Sequence, residues 1–342
     1  MALTPHKHIR GLFVALLSLC ALSGGAAYAA TQRTVGNPIG TGVVVIETNL
    51  AYQDAAAAGT GMVLTPTGEI LTNNHVIKGA TTIKVLVPNT SRSYAARVMG
   101  YDIRHDVAVL QLSKASNLKT VTTAKALSVG AAVTAVGNAG GTGVLTTVQG
   151  TITGLAKSVT VQDDNGGTER LAGLIETNAP IQAGDSGGPL LNAAGRVVGM
   201  NTAGSVGYGV MNTAATDAYA VPITTALKVV KQAESVTSTA AVHVGPTAFL
   251  GVSVLSSSSY PSVDAPAGAT VADILQGGPA EAAGLAVGDV ITSMDGTTIS
   301  SQGDLQAFML AHKPGDKVSV AYTDGYGQSQ TTNLTLASGP AQ

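Results

Sequence analysis

Tryptophan is missing from the 342 residues, phenylalanine occurs three times, and aromatic residues make up only 4% of the chain. Its core must therefore be filled by Val, Ile, Leu and Ala rather than built around large rings. Charge is scarce as well: 11% of residues are charged and the formal net charge is -2. So few cations cannot form the basic stripe that follows phosphates, which excludes nucleic acid as an expected partner. Cysteine occurs once, as Cys20, so no disulfide within the chain stabilises it. What is abundant is small and apolar: 45% hydrophobic residues and 42 glycines. That balance excludes disorder and points to short strands between many turns.

The longest apolar run lies at the start. His6, Lys7, His8 and Arg10 precede an apolar stretch from Gly11 to Leu22, and Ala27-Tyr28-Ala29 follows as a small-x-small cleavage site. Residues 1–29 read as an export signal. The alternative is an anchor over 11–30, nearly long enough to span a bilayer, but a Ser-Gly-Gly break favours the signal. Leu19, where a lipid-attachment signal wants a small residue before Cys20, argues against lipidation. Cleavage removes Lys7, Arg10 and Cys20, so the 18 basic residues become 16 against 20 acidic ones and no thiol remains. The expectation is an exported protein of the cell envelope, periplasm or exterior.

From Thr41 to Asn138, β-branched runs alternate with turn residues: Val43 to Ile46, Gly61 to Leu64, Glu69 to Thr72, Ile83 to Val87, Val107 to Leu110 and Ala132 to Val136. Even spacing of short runs predicts an antiparallel barrel. A second group follows, at Val148 to Leu155, Leu171 to Ile175, Val197 to Asn201 and Ala218 to Val221. Pro222 then suits the first position of a helix, and Ile223, Leu227 and Val230 continue at helical spacing up to Glu234. Residues 236–245 are small and polar and read as a structureless linker. A second domain is expected from Pro246 to the last residue, with a helix from Ser301 to about Ala311 and a strand over Lys317 to Tyr322.

The chemistry concentrates in Gly184-Asp185-Ser186-Gly187-Gly188-Pro189. Glycines around one serine free the backbone for turns in which N–H groups converge beside the hydroxyl. A serine nucleophile also needs a base to take its proton and donors to receive charge from the attacked carbonyl. His75 in Thr72-Asn73-Asn74-His75-Val76 and Asp106 in His105-Asp106-Val107-Ala108-Val109-Leu110 supply the base and its acid partner. His105 is the rival base. Adjacent strand residues face opposite sides, so His105 is expected to face away from the site that Asp106 enters. His243 and His312 read as surface or satisfied core residues.

In the order His, Asp, Ser, these three segments resemble the trypsin-fold serine proteases, and Thr-Asn-Asn-His-Val with Asp-Val-Ala-Val-Leu looks like their HtrA (Deg-type) branch. The resemblance implies an all-β protease domain of two antiparallel six-stranded barrels over 30–235, with the triad between them. Phe249-Leu250-Gly251-Val252 resembles the carboxylate-binding loop of PDZ domains, and Gly277 to Leu285 with Gly288-Asp289-Val290-Ile291 resembles their middle. A small α+β PDZ domain over 246–342 is therefore implied.

Carried onto this chain, the resemblance makes Ser186 the nucleophile, His75 the general base and acid, and Asp106 the group that fixes the histidine tautomer. The N–H groups of Gly184 and Ser186 would form the oxyanion hole. Pro180, Ile181, Asn201, Thr202 and Ala203 would line the substrate pocket. That pocket holds no carboxylate, so cleavage after Val, Ala or Leu is expected. Asp185 stands where many relatives carry Asn, and processing before Val35-Gly36 could supply an amine to pair with it. Phe249, Leu250, Gly251 and Val252 would bind peptide C-termini. Unfolded or misfolded proteins are the implied substrates and a homotrimer the implied assembly, with no cofactor and no metal. The alternative is a PDZ-based peptide-binding chaperone or scaffold whose protease domain is latent.

Overall fold

The computed structural model describes residues 33–34, 40–162, 168–204, 217–235, 238–239, 241–255 and 267–342. The export signal and the processing site before Val35-Gly36 lie outside the described residues.

The first β-branched group closes on itself. Strands Arg92–Asp102, Thr82–Val87, Val43–Leu50, Ala55–Val63, Glu69–Thr72 and Val107–Leu112 pair in that order, and the last pairs back with the first. Side chains alternate between the barrel interior and its surface. Val44, Ile46, Ile70, Val85 and Leu110 fill one cluster of this barrel. One strand, Arg92–Asp102, is absent from the sequence reading: its first turns mix polar and small residues, and only its end, Gly100 to Asp102, is buried. Ala132 to Val136, read with the first group, belongs instead to the second barrel.

That second ring runs Thr146–Gln162, Thr168–Thr177, Ala218–Pro222, Val197–Gly204, Pro189–Asn192 and Ala132–Gly137, closing between the last and the first. The two-barrel, all-β architecture follows. Helix α1 (Asn74–Ile77) is a single turn leaving the strand Glu69–Thr72, and α2 (Ile223–Glu234) begins directly after Pro222. Helix α2 lays Ile223, Ala226, Val229, Val230 and Ala233 on buried positions, the i, i+3, i+4 spacing of an amphipathic helix.

Within the expected linker 236–245, the described residues 241–245 are not structureless. His243–Val244 adds a strand to Arg92–Asp102, opposite Tyr101 and Gly100. Val242 and Val244 are buried with α2, because two apolar residues in a polar stretch suffice to dock it. The His243 ring is buried against Tyr101, and its two nitrogens face the carbonyls of Leu310 and Pro246 at 3.2 and 3.3 Å.

The second domain is a sheet of Val252–Val254, Ala269–Ile274, Val290–Met294, Lys317–Thr323 and Ser329–Thr335, with Thr297–Thr298 off its path. Helices α3 (Pro279–Ala282) and α4 (Gln302–Ala311) accompany it. Ser301 caps α4 by accepting from the Asp304 N–H at 3.2 Å, as a small hydroxyl before a helix should. Thr247–Phe249 pairs separately with Ala337–Gly339.

Candidate active site

His75 is the second residue of α1 and Asp106 opens the strand Val107–Leu112, so one barrel supplies both. Their side chains meet at 2.8 Å between His75 Nδ1 and Asp106 Oδ2. The His75 backbone N–H donates to Asp106 Oδ1 at 3.0 Å. Asp106 reaches this position with φ at 52°, a left-handed conformation that Asp tolerates better than most residues. Asn73 Nδ2 holds it there by donating to the Asp106 carbonyl at 2.7 Å. An Nδ1–H facing a carboxylate leaves the imidazole's basic lone pair on Nε2.

Ser186 comes from the second barrel, in the turn before Pro189–Asn192. It is buried, and its Oγ donates to the Thr202 carbonyl at 3.1 Å. Thr202 also donates its own hydroxyl to Asp106 Oδ2. One residue therefore joins the serine to the carboxylate behind the histidine. Gly59 lies where these pieces meet: a Cβ there would touch Val76 of α1 at 2.7 Å and the Ser186 carbonyl at 3.3 Å.

The loop before the serine is fastened by its carbonyls. Gly140 N–H donates to Ala183 O at 2.8 Å, and Thr60 Oγ1 donates to Gly184 O at 2.7 Å. Because C=O and N–H are opposed across a trans peptide, holding Ala183 O on Gly140 turns the Gly184 N–H the other way. Among the described residues no backbone acceptor takes the N–H of Gly184 or Ser186. Only glycine fits at 184: its φ is 95°, and a Cβ would lie 2.1 Å from the Asn138 carbonyl.

Asp185 is buried, and its Oδ2 accepts from the Gln182 N–H at 2.9 Å. Burial pushes this carboxyl up to about 6, opposed only by that hydrogen bond. His105 pairs with Asp102 at 2.7 Å, not with Asp106.

Of the residues expected to line the substrate pocket, Ile181, Asn201 and Thr202 are buried. Pro180 is exposed, but Ile181 packs in the core of the second barrel beside Ala179 and Leu190. Asn201 is fully buried, with Nδ2 toward the carbonyls of Val136 and Pro189, each at 3.4 Å. Thr202 turns to Asp106. Alternation alone would put the adjacent Asn201 and Thr202 on opposite faces; the strand is irregular between Asn201 and Ala203, and both side chains are buried, with the Asn201 Nδ2 and the Thr202 hydroxyl donating to acceptors. The side chain of Ala203 lies outside the described residues.

In the second domain, Leu250 is buried with Leu305 and Met309, while Phe249 and Val252 are half-buried. Gly251 has φ at 84°. The carbonyls of Leu250 and Gly251 accept from Ala280 and Leu275 at 3.0 and 2.9 Å. By the same opposition across the peptide, the Gly251 N–H is directed away from Ala280.

Thr60 and Gly140 were not singled out in the sequence, and Asn73 entered only as a member of the segment around His75. No local motif marks Thr60 or Gly140, since their partners lie far along the chain, as Gly184 does from Thr60.

Comparison with known proteins adds the following. A trypsin-like peptidase domain matches residues 59–200, and a PDZ domain matches residues 248–336. The chain is 32% identical over 294 residues to the periplasmic serine endoprotease DegP of Salmonella typhimurium, covering 83% of this chain and 58% of that protein. It is 33% identical over 288 residues to a probable periplasmic serine protease do/HhoA-like of Haemophilus influenzae, covering 81% and 58%. The chain thus spans less than two thirds of the length of these curated relatives. Among solved structures, the serine endoprotease from Yersinia pestis is 26% identical, covering 87% of this chain and 94% of that one at a TM-score of 0.47. The HtrA-type protease AlgW with tripeptide is 28% identical, covering 86% and 93% at a TM-score of 0.48.

Proposed function

The chain belongs to the HtrA (Deg-type) trypsin-fold serine proteases with a C-terminal PDZ domain, and from that premise we propose that it is an exported serine endopeptidase acting on misfolded or exposed proteins. The observation that carries this is the 2.8 Å contact of His75 with Asp106, linked to Ser186 through Thr202. Ser186 attacks the peptide carbonyl as His75 Nε2 takes its proton. The developing oxyanion is received by the N–H groups of Gly184 and Ser186, and the imidazolium beside Asp106 then protonates the leaving amine. Water repeats the sequence on the acyl-enzyme. This chemistry uses only side chains and backbone, so no cofactor is required.

The PDZ domain, in this reading, takes peptide C-termini between the strand Val252–Val254 and α4. No helix among the described residues is long and apolar enough to cross a membrane. Export therefore rests on the first 29 residues and on the periplasmic names of the relatives. With no acid at Pro180 and its neighbours, cuts are expected after Val, Ala or Leu rather than Arg.

The test is digestion of unfolded casein by protein beginning at Ala30, beside Ser186→Ala, with cleavage sites read by mass spectrometry. Turnover should fall by about a millionfold in the variant. Equal digestion by both proteins would remove the serine mechanism, and cuts after Arg would remove the apolar pocket.

A further inference from the structure

Between the two domains lies a cavity of about 270 Å³ whose walls come from both. The PDZ domain contributes Phe249 to Val254, the face of α4 from Gln302 to Met309 and the segment Pro340 to Gln342; the protease domain contributes Gln53, Lys78 and Gly79. Contacts across the two domains fasten this wall, among them an Asn74 Nδ2 donation to the Gln342 carbonyl at 3.0 Å. Tyr52 stacks on Phe249, with ring centroids 5.4 Å apart and planes 10° from parallel. The Gly79 N–H donates to the Ala341 carbonyl at 2.9 Å. Lys78, half-buried between Ile77 and Gly79, ends α1 by donating its N–H to the Asn74 carbonyl. Its ammonium has no carboxylate within 4.0 Å among the described residues.

The chemistry of these walls selects a ligand. The strand Val252–Val254 ends its sheet, so its outer edge can pair with an extended chain. Leu250, Leu305 and Met309 offer an apolar seat for one side chain. The Gly251 N–H is a single neutral donor, and a carboxylate leaving water loses solvation that such a donor does not restore. A nearby cation restores more of it.

We propose that Lys78, from the protease domain, supplies the countercharge for the free α-carboxylate of a peptide bound in this cavity. The ligand is an extended peptide with an apolar last residue, held by both domains at once. This rests on the groove reading given above and adds to it a residue that lies outside the PDZ domain.

The experiment uses the Ser186→Ala protein, which keeps the probe intact. A fluorescein-labelled decapeptide ending in Ala-Val-Leu is titrated by fluorescence anisotropy, once as the free acid and once as the C-terminal amide. The acid should bind more tightly, and raising salt should weaken it selectively. Lys78→Gln should weaken the acid by about threefold to tenfold and leave the amide unchanged, with Lys78→Arg restoring acid binding. The amide serves as the control that the groove is folded. Loss of acid and amide to the same degree would assign Lys78 a packing role and overturn the proposal. An undiminished acid preference in Lys78→Gln would overturn it too, while leaving the groove reading in place. If neither peptide binds the parent protein, the groove reading falls and the proposal with it.

Discussion

Asp106, on the wall of the cleft built by the first barrel, accepts from the His75 backbone, the His75 ring and the Thr202 hydroxyl. Asp185, on the wall built by the second barrel, is equally buried, yet the only described donor to it is the Gln182 N–H. Two carboxyl groups of one cleft are thus treated in opposite ways. Donors around Asp106 fix the orientation of the carboxylate that the proposed mechanism uses to hold His75. At Asp185 burial dominates, and its proton is retained up to about pH 6. Burial alone does not mark a catalytic carboxylate; the donors aimed at it do.

The most severe break of this contrast is Asp106→Asn. It keeps the shape but offers His75 Nδ1 an amide, so the wrong tautomer is favoured and casein turnover at pH 7 should fall by about ten thousandfold. A fall of less than about tenfold would mean that the hydrogen bonds around Asp106 are structural only.

Asp185→Asn tests the other wall, with the opposite sign. A carboxyl whose folded value is raised binds more protons in the native than in the unfolded state between about pH 4 and 6. Native stability therefore declines as pH rises through that window. Removing the charge should stabilise the protein by about 1–3 kcal/mol at pH 7.5 and by little at pH 4. Thermal melts of the two proteins against pH check this; parallel profiles would show that Asp185 is not strained by burial.

The smallest expected effect sharpens the link between the walls. Thr202→Val removes the hydroxyl that donates to Asp106 but keeps the carbonyl that accepts from Ser186. One charge-assisted hydrogen bond is lost, so kcat should drop by about tenfold with KM little changed. A rise in KM alone would instead return Thr202 to the substrate pocket where its position in the sequence had put it.

The turning of Thr202 toward Asp106 shows how far sequence reading reaches. His75, Asp106 and Ser186, the proposed triad, stood out in the sequence because each sits in a short segment whose neighbours carry the signal. Helix α4 was legible for the same local reason, with Ser301 in place to cap it. The strand Arg92–Asp102 was not, because a barrel strand with one wet face needs no continuous apolar run. Ile181, Asn201 and Thr202 were carried over from the family's pattern, which does not say which way a side chain turns.

What the sequence by itself determined is the chemistry available: one serine framed by glycines, one histidine with an acid to follow, and the residues of two small-residue barrels and a PDZ domain. Tertiary structure alone decided which groups meet. Thr202 lies 96 residues from the Asp106 it serves, and Thr60 lies 124 residues from the Gly184 carbonyl it holds. Lys78 shares a cavity wall with Phe249 because Tyr52 and Gly79 dock on the second domain. Contacts at such separation are set by barrel closure and by the pairing of buried polar groups, which no local pattern records.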